Sequence, residues 1–224
     1  MKEQYRMLKV LLNSWNVASF DVDAQLTFTP ECPDELPVAG GTEIVSELNA
    51  QAALASVRVF SKDAHNEKAI WVATEENPQF SPIAGNNVDI RWKRHGEIGT
   101  KGFGLIPGLP REDEYDIRVY KGIELDEHPY GNCYYDMEER CSTGVIESLH
   151  GREVLVVIVG GLATDYCVKL TVLQLIRAGF IVIVNLGACR GIAPESTLAA
   201  IKEMEAAGAL IFNNAAEIKE ALEV

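Results

Sequence analysis

Cys167 is the strongest candidate nucleophile in the sequence. It follows the apolar run Val154–Val159, and Thr164, a good helix N-cap, comes three residues before it. This position predicts the first turn of a helix, where the helix dipole and the free backbone N–H groups favour a thiolate and pull the thiol pKa below about 8.5. The same N–H groups could form an oxyanion hole. We therefore expect Cys167 to be functional, unlike a cysteine that only packs under a sheet.

Two aspartates and a lysine also lie at the ends of strand-like runs. Asp21 and Asp23 come at the end of the run Val17–Val22, and Lys121 follows Asp116–Tyr120. A carboxylate beside a thiol can act as general base and then as general acid if burial raises its pKa. Strand alternation puts both aspartates on the same side, so spacing does not choose between them. The lysine could hold a thiolate as an ion pair.

A candidate metal site is indicated by an Asp-x-His pair. Asp63 and His65 form this pair, and both residue types are ordinary ligands of a borderline divalent metal. Two ligands do not make a site, and His95, further along the chain, could close it. His128 and His150 have no comparable context.

The elements that must position these residues follow an α/β pattern. The predicted strands are Val17–Val22, Val57–Phe60, Asp116–Tyr120, Val154–Val159, Phe180–Val184 and Ala209–Phe212. The predicted helices are Gly41–Leu54, Thr164–Ala178, Pro194–Ala207 and a short acidic helix from Ala215. Gly160 and Gly161 are expected to end the fourth strand, and Ser61–Glu114 is expected to be irregular. This order predicts a three-layer fold, a central and mainly parallel sheet flanked by helices, with the candidate residues at the C-terminal edge of the strands.

Composition limits the class of protein. The chain of 224 residues, 47% hydrophobic and 24% charged, is long enough for one globular domain, which we place at 17–224 after a short leader, 1–16. The net charge of −13 argues against nucleic acid and anionic membranes as partners. No apolar run approaches the roughly 20 residues of a membrane span, and no signal-peptide cleavage site follows the N-terminus. We expect a cytoplasmic protein whose five cysteines are free thiols.

Five segments together carry a resemblance to a known family. They are Phe20–Gln25 with Phe28, Pro37–Gly41, Ser61–His65, Tyr120–Gly122 and, as the most diagnostic stretch, Gly161–Val168, which reads GLATDYCV. The chain resembles the nicotinamidases, within the isochorismatase-like cysteine hydrolases, from Val17 to about Phe212. The resemblance implies the isochorismatase-like hydrolase fold, which is the α/β arrangement described above.

The resemblance also implies roles for the candidate residues. The implied catalytic residues are Asp23, Lys121 and Cys167, so the family pattern selects Asp23 over Asp21 as the acid/base. The implied oxyanion hole consists of the backbone N–H groups of Ala163 and Cys167. A cis peptide bond is implied between Leu162 and Ala163.

A divalent metal ion is the implied cofactor, with zinc before iron or manganese. Asp63, His65 and His95 match three of the family's ligands. The fourth, usually a histidine a few residues after the Asp-x-His pair, is absent because Asn66–Trp71 contains none. The remaining ligand is left open among Glu75, Glu76, Asp89 and water.

The implied reaction is hydrolysis of nicotinamide to nicotinate and ammonia through a cysteine thioester, in NAD salvage, with pyrazinamide also accepted. The implied substrate contacts are Phe28, Trp92, Leu162 and Tyr166. One alternative is another cysteine amidase of the superfamily that acts on a carbamoyl or ureido compound. A second alternative is a degenerate binding protein, which the presence of all three catalytic residues disfavours. The sequence leaves open whether the chain forms a homo-oligomer.

Overall fold

A computed structural model describes residues 16–223, and within this range six parallel strands form one sheet. The strands are β1 (Val17–Val22), β2 (Val57–Asp63), β3 (Ile117–Lys121), β4 (Val156–Leu162), β5 (Ile181–Arg190) and β6 (Leu210–Phe212). Their order is β3-β2-β1-β4-β5-β6, and every neighbouring pair is parallel. The predicted fold class is confirmed. Of the predicted leader, 1–16, all but the last residue lies outside the described range.

Five α-helices of the described range cover the two faces of the sheet. They are α1 (Val45–Ala52), α2 (Val145–Gly151), α3 (Lys169–Arg177), α4 (Pro194–Ala206) and α5 (Ala215–Glu223). Side chains of α2, α3 and α4 pack in one apolar cluster with one face of the sheet. Side chains of α1 and α5 belong to two clusters on the opposite face. The result is the predicted three-layer arrangement.

The strand β4 shows why apolar runs predicted the sheet. It is buried on both faces, with Val157 and Val159 in the cluster under α3 and with Val156 and Ile158 in the cluster under α5. A strand buried on both faces has no polar side to alternate with.

The prediction that two glycines end β4 is wrong, because Gly160 and Gly161 lie inside the strand. A Cβ on Gly160 would stand 2.6 Å from the Ala188 Cβ, and one on Gly161 would stand 2.0 Å from the Val22 carbonyl oxygen. Gly161 also has a φ of +138°. These glycines let β4 approach β1 and β5 closely, so they continue the strand at a point where a side chain would not fit.

Two predicted helices begin differently. The predicted helix Gly41–Leu54 starts as a 3₁₀ turn, Gly41–Ile44, before α1. The predicted helix Thr164–Ala178 is divided into a π-helical turn, Thr164–Val168, and α3. Single π turns inside helices are frequently found at functional sites.

The order of the strands changes direction between β1 and β4, since β2 and β3 lie on one side of β1 and the later strands lie on the other. Ligands of open α/β sheets bind beyond the strand ends at this switch point. The long segment after β2 is largely irregular, as predicted, and reaches this edge, where Ile106 donates its backbone N–H to the carbonyl oxygen of Ala24.

Two features of the described residues complete the fold. Within 16–223 there is no helix with the length and apolarity that a membrane span requires. All five cysteines lie in this range and are free thiols, as expected.

Candidate active site

Four chemically active side chains meet where the central strands end. Asp23 comes directly after β1 with a φ of +44°, and Cys167 lies in the π-helical turn after β4. Asp63 and Lys121 are the last residues of β2 and β3, where they pair in register. The predicted strands stopped short of both residues, because a polar side chain at a strand end resembles the start of a loop in sequence.

Lys121 is the centre of this group. Its Nζ donates a hydrogen bond to Asp63, lies 3.2 Å from an Asp23 carboxylate oxygen, and lies 3.7 Å from the Cys167 sulfur. The four side chains are buried. One ammonium group thus contacts two carboxylates and a thiol away from bulk water, where electrostatic interactions are stronger.

The structure separates the two aspartates that spacing could not. Asp21 accepts hydrogen bonds from Arg58 Nη2 at 2.7 Å and from the Tyr115 hydroxyl at 2.9 Å. Asp23 instead accepts one from the Ser61 hydroxyl at 2.6 Å and lies in one cluster with Cys167. Only Asp23 of the two is therefore placed to exchange a proton with the thiol.

Burial sets the protonation of the thiol and its neighbour. It raises the pKa of Cys167 well above the usual thiol value, and the Lys121 charge offsets this only in part. The expectation of a lowered pKa is thus wrong, because burial and the nearby carboxylates Asp23 and Asp63 outweigh the position at a helix start. Burial likewise raises the pKa of Asp23, against the opposing charge of Lys121. A buried thiol of this kind needs a general base, and Asp23 is the carboxylate beside it.

Asp63 and Lys121 behave as a charged pair. Burial alone would raise the pKa of Asp63, but Lys121 and His65 hold it well below the usual carboxyl value. Burial alone would lower the pKa of Lys121, but Asp23 and Asp63 raise it well above the usual value. Asp63 is therefore a permanent carboxylate and Lys121 a permanent cation at neutral pH.

The turn that carries Cys167 is held by backbone and side-chain contacts. The carbonyl oxygen of Ala163 accepts the N–H groups of Tyr166 and Val168, both at 3.1 Å. The Asp165 carboxylate accepts the Ile192 N–H at 3.0 Å and the hydroxyl of a serine in α4 at 2.5 Å. The predicted Thr164 cap is wrong, since Ala163 occupies the N-cap position without a side-chain hydrogen bond. The peptide bond between Leu162 and Ala163 is cis, as the resemblance implied.

Three histidine side chains converge beside Asp63. His65 Nδ1 lies 3.0 Å from the carbonyl oxygen of Gly122, and His95 Nδ1 lies 2.6 Å from that of Lys93. A carbonyl oxygen only accepts, so each Nδ1 carries the proton and each Nε2 carries a lone pair. Both Nε2 atoms lie 3.6 Å from Asp63 carboxylate oxygens.

His128 is the third histidine, and the sequence reasoning missed it. Its Nε2 lies 3.4 Å from His95 Nε2, and His65, His95 and His128 each place a ring nitrogen within 4.8 Å of the others. It comes from the segment after β3, far along the chain, so no local spacing could have revealed it. The residues left open as a fourth ligand, Glu75, Glu76 and Asp89, are exposed and lie outside this cluster.

The residues of this cluster fit a divalent metal ion. His65 Nε2 is buried and has no hydrogen-bond partner within residues 16–223, although a buried polar atom is normally paired. Burial lowers the pKa of His65 and, further, that of His128, so both rings are neutral, the form that binds metals. Imidazole with one carboxylate is a donor set suited to zinc or iron.

One cavity joins the nucleophile to the histidine cluster. The residues that line it are Phe28, Leu36, Asp63, Trp92, His95, His128, Tyr130, Ala163, Tyr166, Cys167 and Ile192. Three of the four predicted substrate contacts are in this set. Leu162, the last residue of β4, is fully buried in the apolar cluster under α1 and is not among the lining residues.

The profile of the isochorismatase domain matches residues 22–216. The chain belongs to the isochorismatase family. This membership agrees with the parallel sheet and with the cysteine placed after its fourth strand.

Three relatives are similar over different lengths. The nicotinamidase of Escherichia coli (strain K12) is 41% identical over 126 residues, which are 54% of this chain and 57% of that protein. The chain thus matches just over half the length of this curated relative. The structure of the Acinetobacter baumanii nicotinamidase is 26% identical, covers 91% of this chain and 98% of its own, and superposes with a TM-score of 0.82. The pyrazinamidase of Pyrococcus horikoshii in complex with zinc is 27% identical, covers 88% and 98%, and has a TM-score of 0.69.

Proposed function

We propose that the protein is a nicotinamidase that hydrolyses nicotinamide to nicotinate and ammonia and serves NAD salvage. The observation that carries the proposal is a cavity lined by Cys167 together with His95 and His128 of the histidine cluster. A nucleophile at one end and ring-nitrogen recognition at the other are what hydrolysis of a pyridine carboxamide requires. The names of the relatives from Escherichia coli and Acinetobacter baumanii support the same activity.

The first half-reaction depends on proton transfer between Asp23 and Cys167. Asp23 removes the proton of the Cys167 thiol, and Lys121, 3.7 Å from the sulfur, stabilises the thiolate. The sulfur attacks the carboxamide carbon, and the backbone N–H groups of Ala163 and Cys167 hold the oxyanion. Asp23 then gives its proton to the departing nitrogen, so that ammonia leaves and a thioester remains.

The second half-reaction restores the enzyme. Asp23, again a carboxylate, takes a proton from water, whose oxygen attacks the thioester carbon. The C–S bond breaks, Asp23 returns its proton to the sulfur of Cys167, and the product leaves as nicotinic acid, which releases its own proton to solvent and becomes nicotinate. One carboxyl group thus serves as base and acid in both halves.

The ring of the substrate is oriented by aromatic residues and by the metal cluster. Phe28 and Trp92 line the cavity and would enclose the pyridine ring, with Tyr166 beside the nucleophile. Asp63, His65 and His95 would hold one divalent ion, with zinc preferred to iron or manganese. When bound, this ion supplies a Lewis acid for the ring nitrogen. The zinc-bound pyrazinamidase of Pyrococcus horikoshii supports zinc as the first choice.

Ammonia release from a panel of amides tests the proposal. We expect turnover of nicotinamide and pyrazinamide, much slower turnover of benzamide, which lacks a ring nitrogen, and none with carbamoyl or ureido compounds. Cys167→Ala should fold normally and release no ammonia. Turnover of the ureido compounds without turnover of nicotinamide would contradict the proposal in favour of the carbamoyl amidase. Binding of nicotinamide without any turnover would leave a non-enzymatic binding protein.

A further inference from the structure

We propose that His128 is a fourth protein ligand of the metal ion, joining Asp63, His65 and His95 from a different loop. The inference rests on the metal assigned under the proposed function and names a ligand that the sequence pattern does not contain. Asn66–Trp71, the stretch after the Asp-x-His pair, carries no histidine. In the structure, His128 fills this need from the segment after β3.

The separations between donor atoms support a shared ion. His95 Nε2 lies 3.4 Å from His128 Nε2, and the Asp63 oxygens lie 3.6 Å from the Nε2 atoms of His65 and His95. Zinc–nitrogen bonds of about 2.0–2.1 Å in a tetrahedral arrangement hold two ligand atoms about 3.3 Å apart. These three pairs therefore already stand near the separation that one bound ion imposes, and the nitrogens of the three histidines all lie within 4.8 Å of one another.

The hydrogen bonds within the histidine cluster leave imidazole lone pairs free to bind a metal ion. His65 and His95 both direct an Nε2 lone pair into the cluster, because their Nδ1 atoms donate to backbone carbonyl oxygens. An N–H on His128 could reach only the His95 lone pair, at a long 3.4 Å. The His65 lone pair is unpaired among the described residues. A cation bound by His65, His95 and His128 would pair one ring nitrogen of each; the buried Nδ1 of His128 also has no hydrogen-bond partner among the described residues.

The ring of His128 is held in place by its aromatic neighbours. It is stacked with His65, at a ring-centroid distance of 5.1 Å and an interplanar angle of 16°. It is also stacked with Trp92, at a centroid distance of 5.8 Å and an angle of 11°. Trp71 contacts its edge at 4.4 Å. With three aromatic rings packed around it, the imidazole has little freedom to turn away from the cluster, which is the preorganisation that a ligand needs.

Backbone contacts fix the segment that carries His128. Its N–H donates to the carbonyl oxygen of Asn87 at 2.8 Å. The carbonyl oxygen of Glu127 accepts the Trp71 indole N–H at 2.9 Å. Trp71, which lies in the stretch without a histidine, thereby positions the histidine from the other loop.

A third imidazole also has a consequence for metal choice. Imidazole suits zinc and iron, whereas carboxylate and water suit manganese. We expect the native site to prefer zinc to manganese more strongly than a site that has lost His128.

Zinc affinity, measured by competition with a chromogenic chelator on the purified protein without substrate, tests the inference. His128→Asn should weaken zinc binding at least about tenfold, as loss of a ligand costs no less than loss of a group that orients one. His150→Asn is the matched control, since His150 is exposed and stacks on Phe180 outside the cluster. His128→Asp, which restores an oxygen donor, should recover part of the zinc affinity and shift preference toward manganese.

X-ray absorption at the zinc edge gives the number of imidazole ligands per zinc ion, a number that does not change if a variant is merely less stable. We expect three imidazoles per zinc in the native protein and two in His128→Asn. Two imidazoles in the native protein, or zinc affinity of His128→Asn within twofold of native, would overturn the inference. Neither readout involves nicotinamide, so failure of the proposed activity and failure of this ligand assignment give different results.

Discussion

Asp21 and Asp23 are identical side chains two positions apart, yet their surroundings give them different chemistry. Both are buried, but Asp21 is held by Arg58 and a tyrosine hydroxyl, while Asp23 faces Lys121 and the thiol of Cys167. Function at this scale depends on which partners a carboxylate meets.

Paired amide variants test this division of roles. Asp23→Asn should lower kcat for nicotinamide by at least about 100-fold, the usual contribution of general acid–base catalysis. Asp21→Asn should keep most of the activity, because an amide still accepts a hydrogen bond from Arg58 and the residue does not contact the thiol. Steady-state ammonia release measures both, and a large loss in Asp21→Asn alone would reverse the assignment.

The burial of Asp21 predicts a pH dependence of stability. Burial, offset in part by Arg58, raises its pKa from 3.8 to about 6. A carboxyl group whose pKa is raised on folding destabilises the folded state when it is ionised. The contribution of Asp21 to the free energy of unfolding therefore increases as pH falls from 7 to 4, by as much as about 3 kcal/mol.

The measurement compares unfolding free energies of native protein and Asp21→Asn by urea denaturation across pH 4–7. Buried neutral His65 and His128 have lowered pKa values and act in the opposite direction, but they are common to both proteins. The native protein should therefore gain stability relative to Asp21→Asn as pH falls. A difference that does not change with pH would show that Asp21 is not perturbed.

At the scale of elements, the ends of β2 and β3 form a platform for the metal cluster. Gly122 follows β3 with a φ of +72°, and its carbonyl oxygen orients His65. A Cβ at this position would lie 2.5 Å from the His65 ring. Glycine is required here both by the backbone conformation and by the close approach of the imidazole.

Gly122→Ala should therefore weaken zinc binding and reduce stability more than Gly144→Ala does. Gly144 is the matched control, because its φ is +85° but a Cβ there meets nothing within 4 Å. In both variants the positive φ lowers the free energy of unfolding by about 1 kcal/mol. The additional loss of stability in Gly122→Ala comes from the displacement of His65. Urea denaturation of the metal-free proteins and zinc competition measure the two effects. Equal losses in both variants would contradict a role for Gly122 in placing His65.

At the scale of the whole molecule, the fold and the metal site draw on different interactions. Three apolar clusters, formed by both faces of the sheet and the helices, hold the layers together. The candidate metal site lies at the edge of the sheet, on the last residue of β2, Asp63, and on the segments after β2 and β3 that carry the three histidines. Removing the ion should therefore leave the layered core intact.

Chelation should lower nicotinamide hydrolysis while circular dichroism keeps the signal of folded protein, and added zinc should restore activity. The metal-free protein should also have a lower melting temperature, because it lacks the stabilisation that metal binding gives to the folded state. Elemental analysis of purified active protein, beside His65→Ala, gives the metal content. Full activity without bound metal in both samples would remove the metal from the mechanism and favour the carbamoyl amidase.

The amino-acid sequence was sufficient to predict the three layers and most of the candidate catalytic residues. Continuous β-branched runs such as Val154–Val159 predict strands because a strand buried on both faces must be apolar throughout, and this is a local property of the chain. The position of Cys167 after such a run, together with the family's motifs, predicted it as the nucleophile of the proposed reaction. A local Asp-x-His pattern also predicted Asp63 and His65 as metal ligands, whereas His95 was added through the family resemblance.

Properties that depend on residues distant in the chain could be seen only in the folded protein. His128 reaches the histidine cluster from another loop. Gly160 lies inside β4, at a position where the neighbouring Ala188 leaves no room for a side chain. The raised pKa of Cys167 depends on the burial and the carboxylates that folding brings to it. Such effects follow from three-dimensional proximity and the loss of water, and neither is written in the spacing of residues along one segment.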